Sequence, residues 1–203
     1  CLNASFFGCD VDPRSLRAGR SYGDGVRYAA GDLQALPYLD GRFGAVLLFD
    51  VLEHLREPRQ ALREVHRVLE PGGRLHALVP CEGQRGSLHW LLGWLRLGGG
   101  LKERHSGHIQ RFTRRGALRL LVETGFSVER VSYSVHPIGQ IKDILSYVEQ
   151  EAWFRRWHLD NPLYRCLMRI LWGASYLESN LLFKETPLGA LALHVTARKG
   201  PAP

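Results

Sequence analysis

Four acidic residues stand where apolar, β-forming runs of the chain come to an end. Asp10 follows the run 5–9, Asp32 follows 26–30 and Gly31, Asp50 follows 45–49, and Glu53 comes three residues later. A carboxylate just beyond a strand can accept both hydroxyls of a ribose, and a second one can accept the exocyclic amine of an adenine. A single aspartate there more commonly caps the next turn, but three in order along the chain point to a nucleotide-like ligand. His54 adjoins Glu53 and closes the pattern D-x-x-E-H over residues 50–54, and His105 and His108 lie further on. An imidazole beside the ligand can take a proton from a hydroxyl. Asp50, Glu53 and His54, joined by His105 or His108, could instead hold Mg²⁺ or Mn²⁺.

These residues need elements that bring strand ends together. Alternating runs predict strands at 5–9, 26–30, 45–49 and 74–79, with helices opened by Pro13 and Pro58 between them. The run 45–49 is almost purely apolar, which suits a parallel strand buried on both faces. Ala61, Leu62, Val65, Val68 and Leu69 recur at helical spacing, and Pro71-Gly72-Gly73 turns the chain into the next strand. Thr113 caps a helix to about Glu123, residues 126–135 form a strand, Pro137 and Asn161-Pro162 open two helices (the second to about Phe183), and a strand over 190–197 ends the pattern. An α/β sheet with helical crossovers results. It forms one domain over 1–199, with a core at 5–80, 110–135 and 188–199, an insertion or lid at 82–108 and a helical region at 137–186.

Composition narrows the setting. The 203 residues, 45% hydrophobic, suffice for a full core. Cys1, Cys9, Cys81 and Cys166 show no paired spacing, so a reduced, cytoplasmic protein is expected. No basic region precedes an apolar run at the start, and no apolar stretch approaches the ~20 residues of a membrane span. The net charge of +7 is scattered rather than gathered into a stripe, and calls for no nucleic-acid partner. The first residue is Cys1 and the only methionine is Met168, so the chain reads as a fragment or a processed product.

The strings GCDVDP (8–13), GDLQALPYLDGRFGAVLLFDVLEHL (31–55) and ALREVHRVLEPGGRLHALVP (61–80) together resemble the class I S-adenosylmethionine-dependent methyltransferases of the small-molecule type. The likeness continues more weakly through GHIQRFTRRGALRLLVETGF (107–126) to the last strand. It implies a Rossmann-like, mostly parallel sheet whose last strand is antiparallel, with S-adenosyl-L-methionine as cofactor. Asp10, with Val11 beside it, is expected at the ribose, Asp32 with the backbone of Leu33 at the adenine, and Asp50 beside the methionine part and the methyl group. The family's first strand and glycine-rich turn should precede Asp10 by about one helix. Only nine residues precede it here, and none forms such a turn. Cofactor binding by this chain is therefore left open.

The expected reaction is O-methylation of a small or lipid-like acceptor, with His54 the first candidate base and His108 the second. No metal is assigned, although Asp50, Glu53, His54 and His108 resemble the metal cluster of small-RNA 3′-end 2′-O-methyltransferases and of some ubiquinone-pathway O-methyltransferases. A metal-dependent 2′-O-methyltransferase acting on RNA and a catalytically silent scaffold are the alternatives. Trp90 and Trp94, flanked by Arg85, Arg96, Lys102 and Arg104, are expected to pack a lid helix. The other reading of that stripe is contact with an apolar substrate or a membrane surface. Trp153, Trp157 and Trp172 are expected at an acceptor pocket or a dimer face, and the oligomeric state is left unassigned.

Overall fold

A computed structural model describes residues 4–23, 25–94, 107–150 and 161–201. Helix starts follow the predicted capping chemistry. Asp12 accepts the amide of Arg14 to open α1 (Pro13–Ser21), Thr113 accepts that of Gly116 to open α4 (Arg114–Glu123), and Asn161 accepts those of Leu163 and Tyr164 to open α6 (Pro162–Leu177). The remaining helices are α2 (Pro58–Val68), α3 (Leu88–Trp94) and α5 (Pro137–Gln150).

The strands are β1 (Phe7–Asp10), β2 (Arg27–Ala30), β3 (Phe43–Phe49), β4 (Leu69–Pro80), β5 (Phe126–Ser134) and β6 (Ala192–Lys199). They form two ladders. In one, β1 and β2 run parallel, with Asp10 opposite Ala30. The other has the order β3-β4-β6-β5, with β3 and β4 parallel and β6 antiparallel to both of its neighbours. β1 and β3 share no hydrogen-bonded ladder. Rings connect them instead: Phe7 meets Phe43 edge-on at 5.6 Å, and Tyr38 meets Phe43 at 4.9 Å. Between β1 and β3 is the place the resemblance gives to the family's first strand.

One face of the larger ladder carries the core. Leu75, Ala77, Val79, Leu193, Val195 and Ala197 pack against Leu62 and Val65 of α2 and Leu121 of α4, all buried. The expectation that β3 is buried on both faces fails. Leu48 lies in the core, but Leu47 and Phe49 are 62% and 51% exposed, because no described helix covers the face they occupy. Further along that face the side chains turn polar: His76, Arg130, Ser134, Lys184, His194 and Thr196 line a cavity of about 270 Å³.

Arg67 of α2 ties down the loop after Asp32. Its guanidinium donates to Glu64, to Asp40 and to the carbonyls of Tyr38 and Leu36, while Glu64 also accepts the amide of Leu36. The last helix departs from prediction in its final turn. It is α-helical only to Leu177 and continues as a π-helical turn, Glu178–Leu182. In this turn the buried Glu178 accepts the amides of Ile138 and Gly139, two of the unpaired donors opening α5.

The tryptophan stripe is also corrected. Trp90 and Trp94 stack at 6.5 Å, but Trp94 is 69% exposed, so it does not pack a core. Among the described residues its aromatic partner is Trp90. Arg96, Lys102, Arg104, Trp153 and Trp157 lie outside the described residues.

Candidate active site

Asp10, Asp32 and Asp50 occupy or follow the carboxyl ends of parallel strands, where open α/β sheets bind ligands. Asp10 ends β1 and accepts the amide of Asp12 through Oδ1 at 2.8 Å, which orients the carboxylate. Val11 beside it is exposed. Asp32 accepts the amide and side-chain nitrogen of Gln34 and forms an isolated bridge with Ala35 around the half-buried Leu33. Gly31 permits this turn: a Cβ there would fall 2.7 Å from Cys9 Sγ and 2.8 Å from Pro37. Asp50 directly follows β3 with φ at +51°, one of two non-glycine residues in the left-handed region among those described. Its amide donates to Leu78 O, so the strand-end geometry is fixed by β4.

These residues fit the adenosyl part of S-adenosylmethionine, since two carboxylates and a turn backbone supply acceptors for ribose and adenine.

A second constellation forms on the short 3₁₀ turn Leu52–His54 that follows Asp50. The carbonyl of Glu53 accepts the amides of Ile109 and Gln110, and Gln110 Nε2 donates to Leu55 O. Those bonds lay residues 107–110 across the turn and bring His108 onto Glu53. The His54 and His108 rings meet edge-on at 4.8 Å, and their Nε2 atoms lie 4.0 and 3.8 Å from Glu53 Oε1. His108 Nδ1 is 2.5 Å from Glu82 Oε1, and His54 Nδ1 is 3.2 Å from the carbonyl of Gly107. Glu53 is fully buried and neither of its carboxylate oxygens has a hydrogen-bond partner. Burial pushes its carboxyl above the usual carboxylate range and the charge of Asp50 adds to the shift, while its own amide and both imidazoles oppose it. Further inside, burial holds the Cys81 thiol up at about 12, so this cysteine is no nucleophile.

The structure therefore joins Glu53, His54 and His108, and leaves Asp50 outside the set of atoms close enough to share an ion. Asp50 precedes the 3₁₀ turn Leu52–His54, with its backbone at positive φ, whereas Glu53 and His54 lie on the turn that meets His108. His105 lies outside the described residues. Glu82 was not singled out from the sequence, yet it obeys the same rule as the aspartates, standing two residues beyond the end of β4.

Residues 1–77 match the methyltransferase domain family. The ubiquinone/menaquinone biosynthesis C-methyltransferase UbiE of Hahella chejuensis is 37% identical over 75 residues, 34% of this chain and 30% of that relative, so the match spans less than a third of its length. A solved structure from Bacillus halodurans, described as a candidate methyltransferase, superimposes with a TM-score of 0.61 at 18% identity, over 97% of this chain and 84% of that one. A geranyl diphosphate methyltransferase solved with S-adenosylmethionine gives a TM-score of 0.56 at 14% identity, over 97% of this chain and 69% of that one. The fold is that of the class I methyltransferases.

Proposed function

We propose that this chain takes part in S-adenosylmethionine-dependent methyl transfer to a small, lipid-like acceptor, at a hydroxyl oxygen. The observation that carries the reading is spatial order. Carboxylates suited to ribose and adenine stand at or just beyond the ends of β1 and β2, Asp50 follows β3, and an imidazole pair with a buried acid comes next.

When bound, the cofactor supplies an electrophilic methyl group on a sulfonium with a good leaving group. The protein's residues then have three tasks. Asp10 and Asp32 hold the adenosyl part, and Asp50 lies beside the methionine part. The turn Leu52–His54 and residues 107–110 line up the acceptor and exclude water. The imidazole cluster removes the acceptor proton as the O–CH₃ bond forms and the S–CH₃ bond breaks. Of the two histidines, His108 is the better held, because Glu82 fixes its ring.

A lipid-like acceptor is supported by the pathway in the name of the H. chejuensis relative, ubiquinone/menaquinone biosynthesis, and by the apolar side chains exposed on α3, Leu91 and Trp94. The same relative, a C-methyltransferase by name, supports a second reading, methylation at carbon. Mass and NMR analysis of the methylated product separates the two.

Calorimetric titration of S-adenosylhomocysteine into the whole encoded protein tests the cofactor half. We expect one site, weakened roughly 10- to 100-fold by Asp10→Ala through loss of charge-assisted hydrogen bonds. A folded protein that gives no binding would overturn the methyltransferase reading in favour of a silent scaffold.

A further inference from the structure

We infer that the cavity on the uncovered face of the larger ladder binds a phosphate-bearing anion, held by Arg130, Lys184, His76 and His194. None of its lining residues belongs to the candidate active site, so the inference goes beyond the methyl-transfer reading and does not depend on it. The strand period sets the lining. Side chains alternate between faces along a strand, so Leu193, Val195 and Ala197 fill the core while His194 and Thr196 face the other way. Register then aligns two rows across the strands: His76, Thr196 and Arg130 in one, His194 beside Ser132 in the next. After the π turn the carbonyl of Lys184 accepts the amide of Tyr133 on the edge strand β5 at 2.7 Å. That bond brings Lys184, with Ser179 and Asn180 of the turn, into the cavity wall.

Charge points to an anion. Arg130 and Lys184 are cationic at neutral pH, and neither forms an ion pair with another described residue. No aspartate or glutamate lines the cavity. The acids nearby in the chain lie outside the wall: Glu129 pairs with Arg74, Glu178 accepts the amides of Ile138 and Gly139, and Glu185 is not among the lining residues. Burial, then the charges of His76 and Lys184, hold the His194 pKa below its ordinary value, and no carboxylate opposes them. A cleft lined by one sign of charge focuses its field on an ion of the other sign.

The donor set points to phosphate. His76 Nδ1 shares a hydrogen bond of 3.0 Å with Thr196 Oγ1, and His194 Nε2 one of 2.8 Å with Ser134 Oγ. A hydroxyl can donate or accept, so each ring can carry a proton on its other nitrogen or on both. With the guanidinium, the ammonium, Ser132 and Asn180, the wall offers many N–H and O–H donors. A tetrahedral oxyanion with several acceptor oxygens uses such a set, whereas a lone carboxylate would leave most of it unpaired. Size limits the ligand further. The cavity of about 270 Å³ lies just below the roughly 300–1,000 Å³ of pockets that enclose a whole drug-sized molecule, which suits a phosphate headgroup with the rest of its carrier outside. Leu181 and Leu182, on the same π turn as Ser179 and Asn180, are largely exposed, so an apolar carrier has a surface to rest on.

The test is calorimetric titration of the whole encoded protein with inorganic phosphate at low salt, beside cosedimentation with phosphatidylcholine vesicles that contain or lack phosphatidic acid. One phosphate is expected to bind. Arg130→Gln and Lys184→Gln should each weaken it roughly 10-fold, and the double variant about 100-fold, as loss of charge-assisted hydrogen bonds requires. Both positions are exposed, and melting curves check that the variants fold. Arg59→Gln, on α2 and paired with Glu123, should leave phosphate binding unchanged. None of these variants should alter S-adenosylhomocysteine binding. A preference for phosphatidic acid that the double variant abolishes upholds the inference with the phosphate on a lipid. Phosphate binding without that preference upholds it with the phosphate on a soluble molecule. Failure of cooperatively melting protein to bind either probe, or binding that survives the double variant, would overturn it.

Discussion

At the scale of single residues, Asp50 carries a strain that the rest of the site needs. A non-glycine residue at φ of +51° costs of order 1 kcal/mol, least for aspartate and asparagine, and such outliers gather where chemistry is done. The turn that follows would aim Glu53 elsewhere if Asp50 relaxed. We therefore expect Asp50→Val to destabilise the fold by about 2 kcal/mol or more, and Asp50→Gly to be near neutral, by denaturant unfolding. Both should impair turnover. His108 gives a second prediction. Its replacement by alanine should lower kcat roughly 10²- to 10⁴-fold, whereas Glu82→Gln, which disturbs only the ring's orientation, should lower it less and shift the pH profile. The aspartates were legible in the sequence because each ends a visible apolar run. Glu82 was not, because its meaning depends on His108, 26 residues away, and on main-chain bonds from Glu53 that no spacing rule reveals.

At the scale of elements, periodicity was a good guide wherever burial is one-sided. The stripe of α2 predicted its packing: Ala61, Leu62 and Val65 are all 0% exposed, and Leu62→Ala should cost about 2–5 kcal/mol. The apolar run of β3 misled because composition reports what could be covered rather than what lies over it. Leu47 and Phe49 are as apolar as Leu48 but belong to the uncovered face. Arg67 supplies the element-scale electrostatics. Losing it would leave Glu64 with only the Leu36 amide and would strip the Tyr38 and Leu36 carbonyls of their guanidinium donor, so Arg67→Ala should cost about 2 kcal/mol and loosen the loop that carries Asp32. The Arg67 hydrogen bonds also hold the Glu64 carboxyl below its ordinary value, burial opposing. The unfolded chain therefore takes up that proton first on acidification. The pair's contribution is present above about pH 4.5 and lost as pH falls through the folded value, and the Arg67→Ala penalty should shrink in the same window.

At the scale of the whole molecule, apolar surface is distributed unevenly. Leu163, Ile170, Trp172, Leu181 and Leu182 on α6 and its π turn are all more than 60% exposed, and no helix among the described residues is long and apolar enough to cross a membrane. We expect this surface to bring the protein to a lipid interface, consistent with a lipid-like acceptor, so cosedimentation with vesicles should drop when Trp172 and Leu181 are both changed to serine. Acid sensitivity is set elsewhere, at two histidines in and beside the core. His66 lies against Phe126 with its ring at the Gly200 carbonyl, and burial holds its pKa below 6.5 against that bond. His194 is held down by burial first, then by the charges of His76 and Lys184. In the unfolded chain both titrate near 6.5, so below that pH the unfolded state binds more protons than the folded one, and stability must rise with pH across the window. Calorimetric melts should show Tm falling from about pH 7.5 to about pH 5.5. In the His66→Gln, His194→Gln double variant that slope should flatten, whatever the substitutions do to Tm at pH 7.5. A slope that persists unchanged would assign the acid loss to other groups.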